Sequence, residues 1–494
     1  MEGLAPGSGL PELEAAARPL VHAMQSYHLV TFGCQMNQHD SERMAEVLQS
    51  AGYHAANGLE DADLVLLNTC SVREKAEHKL RSEVGRLGLL KRRRPDLVIA
   101  VAGCVAQQEG ERLLRRLPQI DLIVGPDNLG ELPELLRQVD LGGPPAVRAV
   151  FDLDAPRFLA AAPSGRAAPT AYVTVMKGCD ERCSFCIVPH TRGPERYRAA
   201  REVVAEIELL VRHGVREVTL LGQTVNSYAD PGGSATRESG FAVLLGLIAE
   251  RVPELRRLRY TSPHPRHLTP ALIRAHAELA VLCRHVHLPV QSGSDRVLKR
   301  MIRRYTAADY AERVAALRSA VPGVTLSTDI IVGFPGETRE DFEATLRLVD
   351  AIGYTGVFGF KYSQRPYTPA LRLEDDVPEA EKSARLAELF RLSEAQRRAH
   401  LASLVGGVEA VLVEGLGQNG SFSGRTERNE IVHFSSVTDP IGDVVDVRIV
   451  RAFKNSLEGE PVDASLGAAG RPAASAAPLA RGDGRRGLPL LRSP

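Results

Sequence analysis

The chain has 494 residues, 61 Lys+Arg against 61 Asp+Glu, 44% hydrophobic and 5% aromatic residues, and seven cysteines. At roughly 100–200 residues per domain it holds two to four domains, and this composition excludes a mostly disordered chain. Zero net charge excludes a generally basic nucleic-acid coat but not a local basic face, and so few cysteines in so long a chain exclude a disulfide scaffold.

The longer clean apolar stretches, such as Val98–Ala102 and Leu64–Leu67, fall far short of the about 20 residues a membrane-spanning helix needs. Residues 1–25 are Gly/Ala/Pro/Glu-rich and read as a frayed terminus. With Glu2, Glu12 and Glu14 against Arg18, the start lacks the basic n-region and apolar centre of a signal peptide. The expectation is a cytoplasmic protein that meets no membrane.

Residues 26–140 alternate short apolar runs with amphipathic segments. His28–Phe32, Asp63–Leu67, Leu97–Ala102 and Asp121–Val124 read as strands, and Ser41–Ser50, closed by Gly52, as a helix. Such alternation predicts a parallel sheet with crossover helices. Residues 141–168, with Gly142-Gly143-Pro144-Pro145, read as a linker containing one strand at Val147–Phe151.

A second alternating region spans 169–398, with strands at Ala171–Met176, Val215–Leu221, Leu258–Thr261, His285–Val290, Thr325–Val332 and Gly356–Tyr362. Thr269-Pro270 reads as a helix start, and Thr306/Asp309 and Thr338/Asp341 as capping boxes with Asp in place of Glu or Gln. Six strand–helix units are two short of a closed eight-fold barrel, so a partial barrel open on one side is expected. Residues 379–404 form a long polar helix. Within 399–460, Val408–Glu414, Ser421–Thr426, Glu430–Phe434 and Val444–Val450 predict a small β-barrel. Residues 461–494 read as a disordered tail. The fold class is therefore α/β: an N-terminal parallel α/β sheet domain, a central partial (β/α)6 barrel and a small C-terminal β-barrel.

The sharpest local signal is C-x3-C-x2-C at Cys179, Cys183 and Cys186, just after a strand. Three thiolates within eight residues can grip one iron–sulfur cluster, whose irons normally take four cysteines; the missing fourth leaves one iron open. The alternative is a structural zinc site completed by His190. A second set, Cys34, Cys70 and Cys104, is dispersed in sequence, yet each is separated from a strand end by no more than two residues. Parallel strands end on one sheet edge, where ligands bind; the alternative is three independent buried thiols. The seventh cysteine, Cys283, reads as a core or turn thiol, and His264, His267 and His287 as satisfied polar residues.

The C-x3-C-x2-C motif at the start of a partial barrel resembles the radical SAM superfamily. Together with Gly33-Cys34-Gln35-Met36-Asn37, Asn68-Thr69-Cys70-Ser71-Val72-Arg73-Glu74 and Ala102-Gly103-Cys104, it resembles the methylthiotransferase family, nearest to the type that makes 2-methylthio-N6-isopentenyladenosine. The resemblance covers about residues 27–453 and implies two [4Fe–4S] clusters. Cys179, Cys183 and Cys186 would hold one whose open iron chelates S-adenosylmethionine, the source of a 5′-deoxyadenosyl radical. Cys34, Cys70 and Cys104 would hold a second that carries or delivers sulfur. A second S-adenosylmethionine would donate methyl. The substrate would be isopentenyladenosine 37 in a tRNA anticodon stem-loop, and the further partners an electron donor and a sulfur source, with the enzyme a monomer.

Further S-adenosylmethionine contacts are expected at Gly222, Gln223 and Asn226, at Ser262, at Gln291 and Ser292, and at Asp329, each at or near a strand end; Val332–Glu337 is placed beside the adenine. No side chain is singled out as a catalytic acid or base. Residues 399–460 resemble the TRAM domain, an RNA-binding module, in which Phe422, Arg425, Arg428 and Phe434 are candidate RNA contacts, with at least one Phe read as core. The basic runs Lys91-Arg92-Arg93-Arg94 and Lys299, Arg300, Arg303, Arg304 are candidate phosphate contacts. Two positions depart from the family pattern: Tyr197 where relatives carry Ser, and Tyr367 where they carry Gly. The rivals are a sibling methylthiotransferase acting on threonylcarbamoyladenosine or on a ribosomal-protein aspartate, and a non-enzymatic zinc-stabilised RNA-binding protein.

Overall fold

The computed structural model describes residues 26–462, apart from Val72, Arg73, Ala155, Ser164, Arg166, Ser234, Arg237, Gln418 and Asn419. The expectations for residues 1–25 and for 463–494 lie outside the described residues, as do Val72 and Arg73 of the second cysteine motif.

Among the described residues the first sheet contains β1 (Ser26–Phe32), β2 (His54–Ala55), β3 (Leu64–Thr69), β4 (Val98–Gly103), β5 (Leu122–Val124) and β6 (Ala146–Arg148). They run parallel in the order β2-β1-β3-β4-β5-β6. The central strands β3 and β4 are buried at every residue, as strands covered on both faces must be. Their period-2 alternation divides the core. Val65, Leu67, Ile99, Val101 and Ile123 pack on Leu80, Val84 and Leu87 of the helix Glu74–Lys91. Leu64, Leu66, Val98, Ala100 and Leu122 face Met44 and Leu48 of the helix Gln35–Ser50 on the other side. The strand expected in the stretch after 140 is β6, which joins the sheet edge beside β5.

The central region contributes β7 (Thr170–Thr174), the two-residue antiparallel pair β8 (Met176–Lys177) and β9 (Arg196–Tyr197), then β10 (Glu217–Leu221), β11 (Arg257–Tyr260), β12 (His285–His287), β13 (Thr325–Val332) and β14 (Gly356–Lys361). Two parallel three-stranded sheets, β11-β10-β7 and β12-β13-β14, are joined where Leu258 bridges to Leu282 just ahead of β12. The result is an arc of six parallel strands that leaves the barrel incomplete. Thr269, Thr306 and Thr338 cap the following helices through their hydroxyls, and Asp309 and Asp341 complete capping boxes.

The helix Glu379–Ser403 leads to a closed barrel of β15 (Val408–Leu416), β16 (Phe422–Arg425), β17 (Ile431–Phe434), β18 (Val444–Ala452) and β19 (Leu457–Pro461), in the order β15-β16-β17-β19-β18. The sequence pattern marks four of these strands. It misses β19, whose Leu-Glu-Gly-Glu-Pro offers a single apolar anchor, Leu457. No helix among the described residues is long and apolar enough to cross a membrane.

Candidate functional site

The dispersed cysteines are brought into line by strand register. Phe32 pairs with Thr69, and Thr69 with Gly103, so Cys34, Cys70 and Cys104 emerge side by side at the C-terminal edge of β1, β3 and β4. Glycine makes the approach possible: a Cβ at Gly33 would meet the Cys70 Cβ, and one at Gly103, where φ is +92°, would meet Asn68 and the Thr69 carbonyl. Beneath the trio Asn37 and Asn68 lock together, with Asn37 Nδ2 donating to Asn68 Oδ1 at 3.0 Å and Asn68 Nδ2 to the Asn37 carbonyl at 2.8 Å. The helix Gln35–Ser50 begins directly after Cys34, six residues earlier than the sequence pattern suggests.

The clustered cysteines occupy the turn between β8 and β9. Gly178, at φ +81°, passes so close to the Pro194 carbonyl that no Cβ fits. The first domain clamps this hairpin: the Asp127 carboxylate pairs with Lys177 at 3.1 Å and with Arg196. Glu181, inside the turn, meets His267 at 3.1 Å and Arg266 at 3.3 Å. His264 lies close enough to Glu181 and His267 to complete a metal-ligand set, but the Arg266 guanidinium supplies the cation, so the group acts as an ionic anchor for the turn.

Each trio receives one buried guanidinium. Arg192 Nε donates to Cys104 Sγ at 3.3 Å while Arg192 Nη2 pairs with Asp40 at 2.5 Å. Arg303 Nη1 donates to Cys183 Sγ at 3.3 Å. Arg303 is thus not a surface phosphate contact, as its basic run suggests, but 95% buried against a cysteine. Five residues separate Cys186 from Arg192, a span of at most about 20 Å shortened further by the helix Val188–Thr191. The two cysteine sets are therefore neighbours across the domain boundary.

The electrostatics of the two sets differ. A hydrogen bond from Cys70, aided by the Arg192 charge, pulls the Cys34 thiol down to about 6, whereas burial pushes Cys104 up. Burial pushes Cys179 and Cys186 up to about 12. Thiolates in that dry turn therefore require a bound cationic centre, and three converging sulfurs with a guanidinium donor fit an iron–sulfur cluster. The zinc alternative finds no support: among the described residues no group of cysteines with His190 brings three ligand atoms within 4.8 Å of one another. Cys283 is buried at the opposite, N-terminal edge of the barrel strands, its thiol also pushed to about 12.

The expected S-adenosylmethionine contacts divide into two groups. The Gly222 backbone and exposed Ser262, at φ +59°, directly follow or lie within two residues of the ends of β10 and β11, whereas Asp329 is mid-strand in β13, level with Gln291 at φ +72°, whose amide donates to the Asp329 carbonyl at 2.9 Å. Asp329 stands 3.5 Å from His287 on the inner face. Three others have their side chains engaged elsewhere. Gln223 Oε1 accepts from the Gly178 amide at 2.5 Å. Both ends of the Asn226 amide bond the His264 backbone, at 2.8 and 3.0 Å. Ser292 Oγ accepts from the Ser294 amide and meets Thr345. Sequence reasoning missed Thr224, whose Oγ1 lies 2.8 Å from Cys179 Sγ; its place beside Gln223 is the signal that marks it. Arg192 carries no such signal.

In the C-terminal barrel, Phe422 and Phe434 are both core, ring centroids 6.2 Å apart, so neither offers a stacking face to RNA. Arg425 pairs with Glu414, and Arg428 with Glu409 and Glu430. Lys91 pairs with Asp121 and Arg94 with Asp63, which leaves Arg92 and Arg93 as the exposed part of that run.

Comparison with known proteins agrees with this architecture. Residues 26–125 match the uncharacterized protein family UPF0004, residues 173–349 the radical SAM superfamily and residues 402–462 the TRAM domain. A radical S-adenosylmethionine methyltransferase from Kitasatospora setae, solved with cobalamin and a [4Fe–4S] cluster, shares the fold with a TM-score of 0.51 at 17% identity, over 70% of this chain and 77% of that one. A tRNA-2-methylthio-N(6)-dimethylallyladenosine synthase from Acidithiobacillus ferrooxidans is 48% identical over 88% of this chain and 97% of its own. One from Sorangium cellulosum is 61% identical over 95% of this chain and 99% of its own. The chain belongs to the tRNA-2-methylthio-N(6)-dimethylallyladenosine synthase family.

Proposed function

We propose that the protein replaces the C2 hydrogen of N6-isopentenyladenosine 37 in tRNA with a methylthio group, using two [4Fe–4S] clusters and S-adenosylmethionine. The observation that carries this reading is the pair of three-cysteine sets, one aligned by strand register and the other in a clamped turn, joined by the short segment from Cys186 to Arg192. Cys179, Cys183 and Cys186 hold one cluster and Cys34, Cys70 and Cys104 the other. Gly222, Ser262, Gln291 and Asp329 line the S-adenosylmethionine site, while Gln223, Asn226 and Ser292 shape its loops.

An aromatic C2–H is not acidic enough for side-chain bases tuned near neutral pH. When bound, the clusters and S-adenosylmethionine supply the radical, the sulfur and the methyl group. The chain's own residues do the rest. Arg192 and Arg303 donate to cysteine sulfurs and offset their negative charge. Gln223 and Asp127 fix the hairpin that presents the turn. The open side of the strand arc admits the RNA loop, from which the adenine must leave its stack to reach the mouth. The division proposed is 26–140, a linker at 141–168 whose strand β6 joins the first sheet, 169–398 and 399–460, with the helix Glu379–Ser403 running across the last boundary. The protein works in the cytoplasm as a monomer, with an electron donor and a sulfur source as further partners.

Mass spectrometry of tRNA nucleosides from a deletion strain tests the reaction. Loss of the 2-methylthio isopentenyl nucleoside with accumulation of its unthiolated precursor is expected; persistence of the thiolated nucleoside overturns it and favours a sibling substrate. Anaerobically prepared protein should carry about eight irons per chain. Cys183→Ala should abolish S-adenosylmethionine cleavage, whereas Cys70→Ala should spare cleavage and stop thiolation.

A further inference from the structure

Tyr367 has its backbone at φ +67°, a region in which glycine is at ease and a bulky residue is strained. Its side chain is 49% exposed. A strained backbone that holds an aromatic ring out in solvent gains nothing for the core, so the position is informative. The surroundings pin it. Arg112 Nη1 donates to Tyr367 Oη at 2.9 Å, and the ring stands 5.6 Å from that of His190, tilted by 38°. The turn itself is closed by Thr368 Oγ1 donating to the Arg365 carbonyl at 2.7 Å. It is tied to the cysteine turn by the Ala370 amide donating to the Ser184 carbonyl at 2.8 Å.

The phenol therefore stands where three parts of the site meet. Beneath it is the turn that carries Cys183 and Cys186. Beside it is the helix Val188–Thr191, which leads from Cys186 to the arginine on Cys104. Across from it is the helix Glu111–Arg116 of the first domain. His190 and Arg112 are exposed as well, so the three side chains form one outward-facing patch of two rings and a guanidinium.

We propose that Tyr367, with His190 and Arg112, is a stacking platform for an unpaired nucleobase that flanks the modified adenine of the RNA substrate. Aromatic faces bind any base by stacking, and a guanidinium beside them meets the adjoining phosphate. The inference rests on the RNA-modifying reading above and adds to it a specific contact outside the reaction centre. It also accounts for a tyrosine at a position whose backbone suits glycine.

The test measures the affinity of the reconstituted holoenzyme for an isopentenylated anticodon stem-loop by fluorescence anisotropy at fixed salt. Tyr367→Gly should weaken binding about tenfold while leaving the melting temperature unchanged or higher, since the strain is relieved. Tyr367→Phe should bind within about twofold of the parent, because stacking needs the ring and not the hydroxyl. Stem-loops made abasic at each flank of the modified adenine in turn complete the cycle; at one flank the difference between the Tyr and Gly proteins should vanish. The proposal is overturned if Tyr367→Gly binds the intact stem-loop as tightly as the parent. It is equally overturned if Tyr367→Phe is as weak as Tyr367→Gly, which marks an interdomain clasp through Arg112, or if neither abasic loop narrows the gap. A parent enzyme that thiolates the stem-loop while Tyr367→Gly loses no affinity sinks this proposal alone; a parent that neither binds nor thiolates it sinks the RNA-modifying reading with it.

Discussion

Among the described residues a buried arginine donates to a cysteine sulfur twice, and the two instances are balanced differently. Burial works most strongly against ionisation of Asp40, but the Arg192 charge together with hydrogen bonds from His39 and Arg192 overcomes it and holds the carboxyl at about 2. Arg192 thus serves Asp40 and Cys104 together. Arg192→Leu should leave buried Asp40 with only the longer His39 contact, at 3.9 Å, and destabilise the apo-protein by about 3–5 kcal/mol, read as a lowered urea midpoint. Adding Asp40→Asn should recover much of that loss. Arg303 instead donates to the Pro289 carbonyl, Tyr305 Oη and Cys183 Sγ. Removing a cationic donor from a cluster sulfur disfavours the reduced, more negative state. Arg303→Leu should therefore lower the reduction potential of the radical-site cluster in an EPR-monitored titration, and an unchanged potential would show that the contact is only structural.

At the level of elements, local chemistry and tertiary demand can be separated. The helix Arg339–Ile352 starts at Thr338, whose Oγ1 accepts from the Asp341 amide while Asp341 returns a bond to the Thr338 amide. Thr338→Ala should cost about 1 kcal/mol in thermal unfolding of the central domain. Asp341→Ala should cost more, because Asp341 also holds Ser294 and Arg296. These caps, the buried central strands and the cysteine placements were legible in the sequence because each depends on residue type at short spacing. What was not legible depends on partners distant in the chain. β19 carries too few apolar residues to announce itself and exists because β17 and β18 offer it free edges. Asn226 and Ser292 sit on the expected loops, but no local pattern tells that their polar groups turn inward to His264 and Thr345. Phe422 and Phe434 alternate as strand residues do on either face, and only closure of the barrel assigns both to its core.

At the scale of the whole molecule, ionic contacts lock the parts together and leave buried histidines neutral within them. Arg43 of the first domain meets Glu206 of the central one at 3.6 Å with both side chains buried. Arg257 and Arg259 reach from the central strand β11 to backbone carbonyls of the C-terminal barrel at 2.6–3.0 Å. Within the central core His276 Nε2 lies 2.7 Å from Tyr260 Oη, and burial depresses its pKa from about 6.5 to about 4. The unfolded chain therefore binds a proton at His276 before the folded chain does. Its contribution is complete above about pH 6.5 and declines as pH falls toward about 4, by roughly 1.4 kcal/mol per pH unit and so by about 2 kcal/mol at pH 5. Urea unfolding of the parent should show this decline between pH 7 and pH 5. His276→Gln, which keeps a hydrogen-bonding partner for Tyr260 and cannot titrate, should remove about one proton's worth of the slope. An identical slope in the variant would place the acid sensitivity on another group and contradict a neutral, core-bound His276.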